Sequence, residues 1–88
     1  MKVIVIREDN HGLIGLALAY QNAISFLIEN NWFGSQTEVM NSNEEWVTVE
    51  EFVGLPNGWE EKIKEWGLQK FNEVFEGCFY LEEMEVYN

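Results

Sequence analysis

The sequence predicts an α+β domain, a small antiparallel sheet of three main strands plus a short hairpin, with helices packed on one face. Three observations lead there. Residues 2–7 hold an unbroken β-branched run, Val3 to Ile6, and residues 78–87 form the long β-type run of the C-terminal half. Between them, residues 20–30 and 59–75 place their apolar side chains at helical spacing. Sheet-on-helix layering is how strands with one buried face become stable at this size.

The run at residues 2–7 reads as a strand covered on both faces and therefore central in its sheet. Glu8, Asp9, Asn10, His11 and Gly12 are turn formers. Residues 13–18 then return as the second strand of a hairpin. The rival is a single long helix, since Leu13, Leu16, Ala17, Tyr20, Ala23, Ile24, Leu27 and Ile28 also fall at helical spacing. Gly12 and Gly15 weaken the first turn of that helix, which favours the hairpin.

Over residues 20–30, Ala23, Ile24, Leu27 and Ile28 make one stripe while Gln21, Asn22, Ser25 and Glu29 face away, and Asn30 and Asn31 supply the stop. Residues 37–40 and 45–47, joined by Asn41, Ser42, Asn43 and Glu44, predict a second, short hairpin. Thr48 and Glu51 have capping-box spacing, with the hydroxyl accepting from the Glu51 N–H and the carboxylate reaching back to the Thr48 backbone. That short helix ends at Gly54 and Pro56. Asn57 is the expected N-cap of the next helix, whose Trp59, Ile63 and Trp66 share a face, and Gly67 closes it. Leu68, Phe71, Val74 and Phe75 form the stripe of a last helix, with Gly77 as its natural C′ residue.

In the closing strand, Phe79 and Leu81 alternate in one phase and Met84 and Val86 in the other. A change of phase calls for a bulge, a strong twist, or two halves that face different neighbours. A bulge at Glu82 and Glu83 is the expectation, and the paired glutamates read as solvated rather than catalytic or metal-binding. The predicted core is Ile4, Ile6, Ala23, Ile24, Leu27, Phe71, Phe75, Phe79 and Leu81.

The 88 residues predict one domain spanning residues 1–88, with a radius of gyration of about 12 Å. Burial of only about 60–65% of the unfolded surface is available at this length, so the core must be rich, and four Trp, six Phe and three Tyr make it so. The single cysteine, Cys78, has no intramolecular disulfide partner. It reads as a buried, inert thiol in a reducing, cytoplasmic setting. Neither the N-terminal run nor residues 13–28 has the length or apolarity of a signal peptide or a membrane span.

Charge is the dominant compositional fact. Five Lys and Arg stand against sixteen Asp and Glu, for a net charge of −11. Residues 8–61 carry ten acids and no Lys or Arg. Such a chain disfavours direct contact with nucleic acid or an anionic membrane, both of which require cations. A basic protein surface is the natural partner.

Motifs for enzymatic chemistry are weak. His11 beside Glu8 and Asp9 reads as a loop-tip imidazole, and Asp9 to Gly12 lacks the later ligands of a calcium loop. No cofactor or metal is expected, nor enzymatic activity. Trp46, Trp59 and Trp66 interleave with acids at 44, 45, 60, 61 and 65. Their first reading is core filling; exposed, they would offer cation–π faces to Lys or Arg.

The blocks Val3-Ile4-Val5-Ile6-Arg7-Glu8-Asp9-Asn10-His11-Gly12-Leu13-Ile14-Gly15, the Ala23-Ile24 to Leu27-Ile28 helix and Phe71-Asn72-Glu73-Val74-Phe75-Glu76-Gly77-Cys78-Phe79-Tyr80-Leu81-Glu82 make the chain resemble small acidic proteins of phages and integrative elements of Gram-positive bacteria. The resemblance implies a setting in which acidic proteins inhibit host defences, as anti-CRISPR and anti-restriction proteins do by DNA mimicry. The sequence-based expectation is a protein-interaction module whose Glu44, Glu45, Trp46, Glu50, Glu51, Glu60 and Glu61 meet a basic host surface, such as that of a nuclease. The alternative is a structural or assembly protein, possible as a homodimer, whose charge keeps it in solution.

Overall fold

The β-branched run Val3 to Ile6 lies in the central strand of the main sheet. In the computed structural model, which describes residues 1–87, the elements run β1 (Lys2–Glu8), β2 (Gly12–Ala17), α1 (Tyr20–Glu29), β3 (Glu38–Met40), β4 (Trp46–Thr48), α2 (Val49–Val53), α3 (Trp59–Trp66), α4 (Leu68–Val74) and β5 (Phe79–Glu85). The main sheet has the order β2-β1-β5, antiparallel throughout, and β3 and β4 pair as a separate antiparallel hairpin.

Period two sorts the sheet into two unlike faces. Ile4 and Ile6 of β1, Phe79 and Leu81 of β5 and Ala17 of β2 turn inward under the helices. Ala23, Ile24 and Leu27 of α1, Ile63 of α3 and Phe71 of α4 meet them in one buried cluster with Phe33, Phe75, Val39 and Val49. Phe71 and Phe75 stack with ring centres 4.6 Å apart, and Phe33 lies 4.9 Å from Phe75. All nine predicted core residues are buried. Gly15 belongs to this packing: a Cβ there would lie 2.7 Å from the tip of the Phe26 ring, so any larger residue would require that ring to shift.

Several expectations need correction. The bulge is not at Glu82 and Glu83, because β5 pairs with β1 in unbroken register from Lys2↔Glu85 to Glu8↔Phe79. It lies in β2, where Ile6 faces Gly15 and Arg7 faces Leu13, leaving Ile14 as the extra residue. The phase change in β5 arises because its start is covered by helices and its end is not: Phe79 and Leu81 are buried, while Glu83 and Glu85 on the same face are exposed. Nor is β1 covered on both faces. Val5, 6% exposed, lies outside the helix-covered cluster and is screened within the sheet by its neighbours.

Helix ends differ in detail. Asn57 does not cap α3; Gly58, at φ +84°, holds the N-cap position and no side chain bonds there. Thr48 accepts from the Glu51 N–H at 3.1 Å, as the spacing predicts, but the Glu51 carboxylate takes the Thr48 hydroxyl instead of the backbone N–H. Cys78 is exposed, just before β5 begins. The radius of gyration is 13.0 Å and the extents are 44 × 25 × 22 Å, more elongated than a sphere of this chain.

Candidate functional site: an acidic face around the second hairpin

The hairpin β3–β4 is built around Asn41. Its side-chain oxygen accepts from the backbone N–H groups of Asn43 and Glu45, both at 2.9 Å, and the turn places Glu44 in the left-handed region at φ +61°. Val39 and Val47 pair across the hairpin and face the core, which sends Glu38, Met40, Trp46 and Thr48 outward. The hairpin runs directly into α2, and Val49 N–H and Glu50 N–H bond back to the carbonyls of Thr37 and Ser35 at 2.8 and 3.0 Å. The backbone that carries the carboxylates of the hairpin and α2 is therefore tied into one unit.

Two grooves border that unit. One, of about 320 Å³, lies between the hairpin and the end of α4, with Met40, Trp46 and Val74 as apolar walls and Glu38, Glu73 and Glu76 as carboxylates. The other, of about 430 Å³, brings together Gln36, Thr48, Glu50 and Glu51. Trp46 is 62% exposed, which corrects its reading as a core filler. Trp59 and Trp66 keep that reading in part, since both are half-buried against the core.

The ion pairs leave the acids of the hairpin, α2 and the end of α4 without cations, as they do Asp9, Glu29 and Glu60 elsewhere among the described residues. The N-terminal ammonium, Lys2, Arg7, Lys62 and Lys64 pair with Glu85, Glu83, Glu82, Glu65 and Glu61, and Lys70 lies 5.1 Å over the Trp66 ring. Among the described residues, none of Glu38, Glu44, Glu45, Glu50, Glu51, Glu73 and Glu76 enters an ion pair. Their partners are neutral: Gln36 donates to Glu50 at 3.2 Å, Gln69 to Glu73 at 3.4 Å and Asn41 to Glu45 at 3.3 Å. Such a surface, with an exposed indole among unpaired carboxylates, suits the ammonium or guanidinium groups of a partner.

Of the residues predicted from sequence, Glu44, Glu45, Trp46, Glu50 and Glu51 fall on this unit. Glu60 and Glu61 stand apart on the first turn of α3, line neither groove, and Glu61 is paired with Lys64 at 3.8 Å. Glu38, Glu73, Glu76 and Met40 were not anticipated. The alternation of Glu38, Val39 and Met40 marks an outward face, but its meeting with α4 is a tertiary contact with no local signature.

The turn between β1 and β2 is occupied with itself. His11 Nδ1 donates to the Glu8 carboxylate, and the imidazole meets Trp32 edge-on at 5.2 Å. The His11 hydrogen bond holds the Glu8 carboxyl below its ordinary range, against desolvation that pulls the other way. The described residues contain no cluster of three or more His, Cys, Asp or Glu side chains placed to hold a metal ion, and no helix among them is long and apolar enough to cross a membrane. No protein-family model, curated protein or solved structure matches the chain.

Proposed function

We propose that the chain is a small acidic interaction module that occupies a basic, nucleic-acid-facing surface of a host protein, with carboxylates in place of phosphates. The observation that carries this reading is the unit formed by the hairpin, α2 and the end of α4: Glu38, Glu73 and Glu76 share a groove with the exposed Trp46, Glu50 and Glu51 line a second groove, and neither these nor Glu44 and Glu45 of the hairpin turn enter an ion pair among the described residues. The resemblance to proteins of phages and integrative elements adds a setting, the host cytoplasm, and a class of target, a nuclease or other nucleic-acid-binding defence protein. Attraction across such a face is long-ranged and raises the association rate.

The test is capture from host lysate at low salt, followed by competition with duplex DNA. Retained proteins should be nucleic-acid binders that DNA displaces. Retention should collapse between about 0.1 and 1 M salt, as the Debye length shrinks from about 10 to 3 Å. Reversing Glu44, Glu45, Glu50 and Glu51 to Lys should abolish capture, whereas His11→Ala should leave it intact. A partner held equally well at both salt concentrations, or one lost on His11→Ala, overturns the reading. A second reading, an assembly protein, draws on the bare outer face of the sheet.

A further inference from the structure

The helices cover one face of the main sheet, and the other is bare. Cross-strand pairing puts Leu13, Val5 and Leu16 on that outer face with Arg7, Glu82, Tyr80, Val3 and Met84. Leu13 and Leu16 are each 62% exposed, Tyr80 52% and Met84 44%. Leu18, immediately past β2, is more exposed still. Scattered exposed leucines need no explanation, but a contiguous set on one sheet face marks an interaction surface.

Charge identifies the occupant. The only charged groups the register places on this face are Arg7 and Glu82, and they neutralise one another at 2.8 Å. A chain of net charge −11 repels its own copies everywhere except where local charge vanishes. The unpaired carboxylates of the hairpin and α2 stand on the far side, since Val39 and Val49 of those elements share the core cluster beneath the inner face, while Glu73 and Glu76 flank the β5 edge in a groove that Tyr80 also lines. Two sheets packed about 10 Å apart, each backed by a further layer about 10 Å away, hold the hairpin and α2 carboxylates of the two copies roughly 30 Å or more apart. At physiological salt that is several Debye lengths of about 8 Å.

We propose that the outer sheet face docks a second copy of this chain, back to back, forming a two-fold sandwich with the hairpin and α2 outward. A two-fold axis through the face is satisfied by its own composition, apolar against apolar, with Arg7 of each copy brought towards Glu82 of the other. Three strands about 4.8 Å apart and seven residues of about 3.3 Å give a footprint of roughly 300 Å² per copy. Even with Met1, Leu18 and Tyr87 at its margins, this is below the roughly 800 Å² per partner of a standard interface. The dimer is therefore weak and concentration-dependent. Its salt response is opposite to that of the proposed basic partner, because salt screens the repulsion between two anionic copies. The two proposals can thus fail separately.

Sedimentation equilibrium of the full chain from about 1 μM to 1 mM tests it, a range that reads weak association, in about 0.1 and 1 M salt. The average mass should rise from the 10.3 kDa monomer towards twice that value, and further at high salt. Leu13→Glu with Leu16→Glu, and separately Met84→Glu on the opposite edge strand, should hold the mass at monomer with an unchanged far-ultraviolet spectrum. Amide shifts on dilution should map to Leu13, Leu16, Tyr80 and Met84. A monomer at every concentration, including one that binds lipid vesicles instead, overturns the proposal. So does a dimer that dissociates in salt, one that both variants tolerate, or one whose shifts map elsewhere.

Discussion

Tyr20, 8% exposed, donates its hydroxyl to the carbonyl oxygen of Ile63 and so joins the first residue of α1 to α3 across the core. Burial raises the phenol above its ordinary range, so the group stays a donor at any pH the fold experiences, with only a weaker opposite pull from the Gly67 amide. Tyr20→Phe keeps the ring and its edge-on contact with Phe71 but removes the bond. Loss of about 1–3 kcal/mol is expected, the cost of a buried acceptor deprived of a partner. It should be read as a lower urea midpoint with an unchanged denaturant slope. At the β1–β2 turn, the lowered Glu8 carboxyl contributes stability that is fully present above the ordinary carboxylate range. That contribution is lost as pH falls through the lowered folded value. His11→Ala should move the Glu8 titration midpoint, followed by NMR, upward towards the ordinary value. A midpoint that does not move would show that the imidazole is not its cause.

Elements depend on cross-links that sequence patterns do not contain. Asn72 of α4 donates to the Leu81 carbonyl and accepts from the Leu81 N–H, both at 2.8 Å, and so occupies the free edge of β5 at the point where an incoming strand would pair. Asn72→Ala should cost about 1–3 kcal/mol and speed hydrogen exchange at Leu81. Protection of that amide unchanged in the variant would mean the edge is shielded by something else. The helical stripes were legible because burial on one face imposes a 3.6-residue period: Ala23, Ile24 and Leu27 are all fully buried. The bulge was misplaced because the pattern in β5 records where helical cover ends, a long-range fact, whereas the extra residue in β2, Ile14, sits in an ordinary apolar run. The acidic unit was legible in the same proportion. Glu44 to Trp46 and Glu50 to Glu51 are neighbours in sequence, but Glu73 and Glu76 reach the groove only through packing of α4 beside the hairpin.

For the whole molecule, charge opposes compaction: the same −11 that would attract a basic partner makes the folded chain repel itself. Surface ion pairs such as Lys2 with Glu83 at 3.5 Å and Lys62 with Glu65 at 3.5 Å offset little of this, since exposed pairs contribute about 0–1 kcal/mol. Raising salt from about 0.1 to 1 M should therefore stabilise the fold, as the Debye length contracts and repulsion is screened more than the short pairs lose. Reversing Glu44, Glu45, Glu50 and Glu51 to Lys changes the net charge by 4 × 2 = 8, from −11 to −3. The reversal removes the Glu51 carboxylate that takes the Thr48 hydroxyl, and the two acids of the first turn of α2. Each loss is worth a few tenths to about 1 kcal/mol. Relief of repulsion acts in the opposite direction, so the variant should remain folded, with a midpoint close to that of the parent chain. Its salt dependence should be much flatter. Thermal unfolding of both chains across the salt range decides the point. A wild-type midpoint that falls with salt would mean that ion pairs, not net repulsion, dominate. An unfolded variant would mean that any loss of partner capture reports the fold and not the acidic face.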